Sequence, residues 1–358
     1  MNTKSIAVRA AFPALILATA AASAEPRIAI NGFLTAAGSV SDSEVAYLNG
    51  ITDQASFEND SVLGIQLSGS VVPGLDITAQ LLASADDDTY DISADWAFLS
   101  YALDDDLKLR AGRIKFPLFL VSDYVEVGYA YPWIRPPQEV YGGLPLNAIS
   151  GVDALVTRDM GAFDLLVQPY FGSNSEDTEP GGLQMSSDMR DVMGINLSAS
   201  TEVLTVRAGY MESKITSRLT APAPLPPGVD IALNDDQARF FGVGAMLDWN
   251  DFVVYSEYTD TSIAKSFPDS TAWYVTVGHR HGKFLPHVTV AERDTDEATP
   301  LARKQRSTTL GLRYDLNTST ALKAEWQRAE ALDGTAGLFD APPGEDVNVF
   351  SFAVDVVF

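Results

Sequence analysis

Charged side chains two residues apart are the groups in this sequence that point to chemistry. Arg313 and Asp315 form one such pair, and Lys323 and Glu325 form another. In an extended strand, residues two apart project from the same face, so these charges would line a surface together. Such a surface acts on solutes through its electric field and performs no covalent step. The sequence shows no Ser-His-Asp spacing, nucleophile elbow, phosphate-binding loop or HExxH motif that would indicate an enzyme.

The elements that must position these charges are segments of roughly 9–13 residues in which apolar and polar residues alternate, the length that a tilted membrane strand needs. In residues 347–358, Phe350 and Phe352 share one face, and Ser351 and Asp355 share the other. The pattern predicts sixteen strands, an even number, at 27–36, 56–71, 75–83, 90–103, 107–115, 148–158, 162–172, 188–200, 203–213, 237–249, 252–261, 271–281, 285–293, 305–316, 320–330 and 347–358.

Short connections between these strands alternate with longer ones. The short connections carry turn residues at hairpin spacing, such as Pro73-Gly74 and Asn250-Asp251. The long connections run over 37–55, 84–89, 116–147, 173–187, 214–236, 262–270, 294–304 and 331–346. Short turns on one side and long loops on the other are typical of a transmembrane antiparallel β-barrel, so we predict an all-β barrel of about sixteen strands.

Composition and the N-terminus support this prediction. The 358 residues contain 48 acidic and 24 basic side chains and no cysteine, which excludes disulfides, zinc–thiolate sites and iron–sulfur clusters. The acidic surplus argues against a nucleic-acid partner. Residues 1–24 combine Lys4 and Arg9 with an apolar stretch and Ala22-Ser23-Ala24, as in a cleaved signal peptide. We therefore expect an exported chain whose barrel occupies residues 25–358.

The third long connection, residues 116–147, is the longest and the richest in aromatic residues. Exposed to water it would form a large apolar patch, so it must pack on another part of the molecule. A sixteen-stranded barrel encloses an aqueous interior, and we expect this loop to fold into it and narrow it. Three alternatives remain. They are a structural or adhesion barrel whose lumen is plugged and whose loops bind a partner, a barrel enzyme such as a lipase, and a soluble all-β protein.

Two motifs give the sequence a family resemblance. Arg110-Ala-Gly-Arg-Ile-Lys-Phe-Pro, followed by Tyr131-Pro-Trp-Ile-Arg-Pro-Pro-Gln-Glu-Val-Tyr141, resembles the phosphate-selective O/P-like and related proteobacterial general porins. The resemblance implies a homotrimeric passive pore for small hydrophilic solutes and ions in the Gram-negative outer membrane. It also implies contacts with lipid and lipopolysaccharide, and a terminal Phe358 recognised by the barrel-assembly machinery. Phosphate selectivity is not implied, because this chain has few lysines.

The candidate pore-lining residues follow from the alternation and from the loop composition. Strict alternation would send Arg113 and Lys115 into lipid, so we expect a bulge at Gly112 that turns both inward. Acidic residues of the loop opposite basic residues of the wall would create a transverse field. The predicted set is Arg110, Arg113, Lys115, Asp123, Glu126, Arg135, Glu139, Arg207, Arg313, Lys323 and Glu325.

No cofactor and no catalytic residue is predicted. The three histidines, His279, His281 and His287, flank one short turn. Imidazole is a common metal ligand, so a metal site is one interpretation. The interpretation that we favour places them as interfacial residues at the rim of the barrel, without a metal.

Overall fold

The computed structural model describes residues 28–48, 50–86, 89–143, 147–178, 184–220, 233–263, 268–296 and 302–358. The expected signal peptide, residues 1–24, lies outside these ranges. In the described residues, sixteen strands form one closed antiparallel barrel. They are β1 Ile28–Ser41, β2 Val62–Val72, β3 Leu75–Asp86, β4 Thr89–Ala102, β5 Leu107–Lys115, β6 Ala148–Asp159, β7 Asp164–Thr178, β8 Gln184–Ser200, β9 Leu204–Thr220, β10 Leu233–Trp249, β11 Phe252–Ile263, β12 Ser270–His279, β13 Phe284–Thr295, β14 Gln305–Asn317, β15 Thr320–Ala331 and β16 Val347–Val357.

The barrel closes where the first strand pairs with the last. Phe33 of β1 lies opposite Val357 of β16 in an antiparallel register. The C-terminal residue continues this ladder, because the Gly32 amide donates to the Phe358 carbonyl at 2.8 Å and the Phe358 amide donates back at 2.9 Å. Closure leaves no strand edge with unpaired backbone groups, which a lipid environment would penalise. The predicted sixteen-stranded barrel is therefore confirmed.

Alternation along each strand separates an apolar outer face from a polar inner face. On β16, Phe350 and Phe352 are exposed, whereas Ser351 and Asp355 are buried. The same holds on β15, where Ala324 is exposed and Lys323 and Glu325 are buried. A water-soluble barrel would show the opposite arrangement, so the exposed apolar band is the lipid-facing surface of a membrane barrel.

Several strands extend beyond their predicted ends on the side of the long connections. Thr216 pairs with Asp188 and Ser217 with Ser187, beyond the predicted end of β9 at residue 213. Backbone pairing needs no apolar side chain once the strand leaves the membrane band, so hydrophobic periodicity underestimates strand length there. The strands predicted at 27–36, 203–213 and 237–249 are longer in the structure, and the one predicted at 56–71 begins only at Val62.

The connections differ in structure as they differ in length. Asn250 and Asp251, which join β10 to β11, both have positive φ, at 49° and 66°, as a two-residue type I′ hairpin turn requires. The connection 116–147 instead contains two single helical turns, Ser122–Tyr124 and Gly128–Ala130, and the short helix α1, Gln138–Tyr141. None of the helices in the described ranges is long and apolar enough to cross a membrane.

The expected bulge at Gly112 is wrong. β5 keeps a continuous register with both neighbours through this residue, and Arg113 pairs with Ala97 on one side and Ser150 on the other. Gly112 itself has a φ of +135°, a conformation that favours glycine, so the backbone distorts there without gaining a residue. The register shift nearby lies between β3 and β4, where Asp95 is the extra residue.

Candidate functional site

The described part of the third long connection, residues 116–143, packs against the inner face of the wall. We call it the 116–143 segment. Phe116, Val121 and Trp133 are buried in an apolar cluster whose other members come mainly from strands β8 to β13. The outward neighbours on these strands, such as Tyr210 and Phe241, are exposed. The buried members therefore lie on the inward face, and the segment rests on them.

Two carboxylates of the wall accept hydrogen bonds from the backbone of the 116–143 segment. The Leu120 amide donates to Glu257 Oε1 of β11 at 2.8 Å. The Ile134 amide donates to Glu325 Oε1 of β15 at 2.9 Å. Both carboxylates are buried, and a buried acceptor without a donor is costly, so each bond fixes a backbone position of the segment.

Two cations of the wall donate to carbonyls of the same segment. Lys323 Nζ donates to the Gly128 carbonyl at 2.6 Å and to the Trp133 carbonyl at 2.5 Å, and it also pairs with Asp355 at 2.9 Å. Arg313 donates to the carbonyls of Tyr129 and Tyr131 at 2.6 Å and 2.9 Å. These contacts occupy all three protons of the Lys323 ammonium. The predicted residues Arg313, Lys323 and Glu325 are therefore brought together by one short stretch of the segment.

Aromatic side chains of the segment complete its attachment to the wall. The Trp133 indole N–H donates to Thr276 Oγ1 at 2.9 Å and lies within 3.1 Å of Thr289 Oγ1. Its ring packs edge-on against Tyr274, with the ring centroids 5.6 Å apart. The Tyr141 hydroxyl donates to Glu257 Oε2 at 2.7 Å. The polar ends of the Trp133 and Tyr141 rings thus find partners while their apolar faces fill the cluster.

Two acidic side chains of the segment pair with basic residues of the wall. Asp123 accepts from Arg207 of β9 at 2.7 Å. Glu126 accepts from Lys115 at 3.2 Å, and the same ammonium binds Asp95 at 2.9 Å. Partial loss of water inside the barrel would raise the pKa of Asp123, but the charge and hydrogen bond of Arg207 outweigh this effect and hold the pKa below its ordinary value. Asp123 is therefore ionised at neutral pH.

Arg135 links the segment to the connection between β1 and β2 and to the strands that close the barrel. Its guanidinium pairs with Asp60 at 2.6 Å and donates to Ser39 Oγ at 2.8 Å and Ser351 Oγ at 2.9 Å. Burial would raise the pKa of Asp60, but the Arg135 charge outweighs it and holds the pKa below its usual range. The guanidinium thus ties three separate parts of the chain together.

Glu139 takes a different position from the other acids of the segment. It lies in α1, is fully buried, and accepts from Gln305 Nε2 at 2.8 Å. Gln305 Nε2 also donates to the Tyr47 hydroxyl at 3.1 Å, which connects Glu139 to the first long connection. Glu139 therefore lies in a buried hydrogen-bonded network and presents no charge to open solvent.

Arg110 and Arg113 bind partners on the wall. Arg110 pairs with the buried Asp153 on the neighbouring strand. Arg113 donates to the backbone carbonyls of Ala94 and Asp95 and shares its register position with exposed residues. Lys115 is the last residue of β5, so the alternation no longer fixes the direction of its side chain. Its ammonium therefore reaches the segment.

Sequence reasoning missed Asp60 and Asp95 as partners of the predicted residues. Counting back from the inward-facing Ser100 in steps of two would point Asp95 outward, and the extra residue between β3 and β4 reverses this. Asp60 lies in a connection, where no periodicity applies. Glu257 and Asp355 can be found from the sequence, because the alternation places both on the inward row of their strands.

The three histidines do not converge. His279 Nδ1 and His281 Nε2 lie 3.2 Å apart in hydrogen-bond geometry near one turn. His287 is buried, with Nε2 3.9 Å from Glu325 Oε1. In the described ranges, no group of three or more histidine and acidic residues is arranged to hold a metal ion.

A protein-family model described as Gram-negative porin matches residues 10–334 of the chain. No curated protein sequence matches this chain. Among solved structures, OmpF of Salmonella typhi in complex with daunomycin is similar with a TM-score of 0.64 and 12% identity over 93% of this chain and 98% of that one.

Two further solved structures cover the chain to the same extent. A loop-deletion form of OmpT, an outer membrane protein of Vibrio cholerae, has a TM-score of 0.63 and 12% identity over 93% of this chain and 99% of that one. The anion-selective porin of Comamonas acidovorans has a TM-score of 0.62 and 14% identity over 93% and 100%. At such low identity, these similarities establish the fold.

Proposed function

Because the chain belongs to the Gram-negative porin family and forms an outer-membrane channel for passive diffusion, we propose that the 116–143 segment is the constriction of that channel. The observation that carries this proposal is the attachment of the segment backbone to inward side chains of β11, β14 and β15. A segment bound at several points narrows the passage by a fixed amount, and width is the first determinant of which solutes pass.

The wall residues in this proposal have two roles. Glu257, Arg313, Lys323 and Glu325 hold the backbone of the segment in place. Asp123, Glu126, Lys115, Arg135 and Arg207 supply charges at or near the narrowest part, and Arg110 lies on the wall within electrostatic reach of Asp123. Arg113 lies on the wall at an outward register position. Glu139 supports the segment from its buried network.

A disulfide tests whether the segment stays on the wall while the channel conducts. A Cβ placed on Gly244 of β10 lies 3.1 Å from the Cβ of Leu120, within a few tenths of an ångström of the roughly 3.5–4.5 Å that a disulfide spans. Leu120→Cys with Gly244→Cys would create the only disulfide in the described barrel, since the chain has no cysteine. We expect oxidised and reduced forms to show the same single-channel conductance in a planar bilayer.

The control is a variant in which the attachment is loosened by Glu257→Leu and Lys323→Met. Its channels should show a different and noisier conductance, because the segment is no longer fixed. A conductance that changes on oxidation of the cysteine pair would show that the segment leaves the wall in the open channel and would contradict the proposal. Failure of either protein to conduct at all would contradict the channel itself.

Assembly and partners form a separate part of the proposal. We propose a homotrimer in contact with lipid and lipopolysaccharide, and one similar solved structure, of in-vitro folded OmpT of Vibrio cholerae, is a trimer form. We also propose export through cleavage after residue 24 and recognition of Phe358 by the barrel-assembly machinery. Deleting Phe358 should lower the yield of folded barrel in membranes, whereas Phe352→Ala, which keeps the terminal aromatic, should lower it less.

The proposal includes no enzymatic activity. A hydrolytic barrel would need a histidine beside a nucleophile on the lipid-facing surface, whereas His287 is buried in the barrel and His279 lies beside His281. His279→Gln with His281→Gln should leave conductance unchanged and should abolish esterase activity only if such activity exists. Swelling of liposomes with small sugars separates an open channel from an adhesion barrel with a plugged lumen.

A further inference from the structure

Two ion pairs between the 116–143 segment and the wall share an orientation toward water. In the pair of Asp123 with Arg207, 53% of the acidic side chain is exposed but only 9% of the basic one. In the pair of Glu126 with Lys115, the values are 25% and 5%. The carboxylate therefore faces the aqueous interior in both pairs, and the cation is turned into the protein.

A third pair repeats this orientation near the short-turn rim of the barrel. Asp315 lies on the inward row of β14, two residues from the end of the strand, with 41% of its side chain exposed against 11% for Arg313. The reason is visible in the contacts of the cations. Arg313 is engaged by two segment carbonyls and Lys115 by Asp95 of the wall, so these basic groups are drawn toward buried partners and the acids are left toward water.

Other inward charges do not reverse this balance. Arg110 pairs with a fully buried Asp153, but its guanidinium stacks over the Phe98 ring at 5.1 Å and is itself largely buried. Arg135 and Asp60 are buried to similar extents, as are Lys323 and Asp355. Lys108, near the short-turn end of β5, is half-buried. The most exposed charges among these inward residues are thus acidic.

We propose that the channel prefers cations over anions, and that Asp123, Glu126 and Asp315 are the residues that set this preference. The inference rests on the proposed constriction, because a fixed segment is needed to hold Asp123 and Glu126 beside the passage. A cation that approaches such a pair meets the carboxylate first and the buried base several ångströms farther away, so attraction outweighs repulsion. The similar fold of an anion-selective porin does not oppose this, because selectivity depends on side chains that the fold does not determine.

The reversal potential in a KCl gradient across a planar bilayer measures the preference. We expect a permeability ratio of K⁺ to Cl⁻ above one for the unaltered protein. Asp123→Asn and Glu126→Gln keep the size of the side chains and should each lower the ratio about twofold, the effect of one unit charge roughly a Debye length away in water. Glu292→Gln is the matched control, because Glu292 pairs with Arg306 on the outward row and should leave the ratio unchanged.

The outcomes separate this inference from the function on which it rests. Channels that conduct with a ratio of one or less, or a ratio that the double variant Asp123→Asn, Glu126→Gln does not lower, would overturn the cation preference. The cysteine-pair measurement of the constriction would be untouched by either result. Single-channel conductance is recorded for each variant to show that its pore is intact. A fall in the permeability ratio of K⁺ to Cl⁻ supports the cation preference when that conductance is retained.

Discussion

Two parts of the inner wall differ in what their alternation places inside the barrel. On strands β9 to β16, which we call the binding wall, the inward row contains the charged and long side chains Arg207, Glu257, Arg313, Lys323 and Glu325, and these bind the 116–143 segment. On β2 to β4, which we call the polar wall, the inward row is mainly uncharged, with Gln66, Thr78, Gln80 and Ser100, and Asp95 is a buried acid on the same face.

The difference shows that one rule of folding produces two kinds of surface. Alternation decides which residues point inward on both walls, but the chemistry of the inward row decides whether a loop can be held there. A buried carboxylate or ammonium must find partners, and the backbone of the segment supplies them. The polar wall is linked to the segment through Lys115 of the neighbouring β5, which binds both Asp95 of β4 and Glu126 of the segment.

The largest effect is expected when the binding wall loses Lys323. Lys323→Met leaves Asp355 and the carbonyls of Gly128 and Trp133 without their shared donor in a buried site. Removing one partner of a buried ion pair costs about 3–5 kcal/mol, so the free energy of unfolding should fall by an amount of this order. Loss of strand signal in circular dichroism during heating measures it, together with the noise of single-channel currents.

Lys108→Met provides the comparison for that variant. Both changes remove one lysine charge from an inward row, but the contacts of Lys323 with the segment have no counterpart among the hydrogen bonds found for Lys108 in the described ranges. We expect Lys108→Met to leave the unfolding temperature nearly unchanged. Equal destabilisation by the two variants would show that charge alone, and not the attachment of the segment, is what matters.

The sequence predicted the barrel well because its signals are local and repeated. Period-two alternation, turn residues such as Asn250-Asp251 and the rhythm of the connections each indicate the fold independently. The candidate site was predicted in part. Arg313, Lys323 and Glu325 fall on inward rows, so alternation alone finds them.

The rest of the site depends on information that alternation does not contain. The extra residue Asp95 changes which face its strand presents, and the partner of Arg135 comes from a connection without periodicity. Gly112 has a positive φ but inserts no extra residue, so the alternation continues through it. The predicted inward turn of Arg113 was therefore wrong. Such details are decided by tertiary contacts between distant segments.

A smaller effect is expected when the link between the segment and the closing strands is removed. Arg135→Ala leaves Asp60 without its cation and removes donors to Ser39 and Ser351. We expect the free energy of unfolding to fall by about 2 kcal/mol, because hydrogen bonds to charged groups each contribute about 1.5–3 kcal/mol and Asp60 can rehydrate in part. Thermal unfolding measures this, and Arg135→Lys should restore less than half, since lysine cannot bind all three partners from one planar group.

A still smaller effect tests the aromatic part of the binding wall. Trp133→Phe keeps an aromatic ring in the cluster but removes the N–H that Thr276 and Thr289 accept. The expected loss is about 1 kcal/mol, the net contribution of a neutral hydrogen bond. Val254→Ala, a change on the outward row of β11, is the comparison, and it should alter unfolding in detergent less than the change at Trp133 does.

The smallest and most specific effect concerns pH at Asp60. Because Arg135 holds the pKa of this carboxyl below its ordinary value, ionised Asp60 stabilises the folded protein above the unfolded pKa of about 4, and this contribution is lost as pH falls through the lower folded pKa. Without Arg135, burial raises the pKa of Asp60 in the folded variant. The difference in unfolding free energy between the unaltered protein and Arg135→Ala should therefore be largest near pH 8, begin to shrink as pH falls through that raised pKa, and continue to shrink below about pH 4. Thermal unfolding of both proteins across this range measures it. A difference that does not change between about pH 8 and about pH 3 would mean that Arg135 does not shift the pKa of Asp60, and that their contact is weaker than the structure shows.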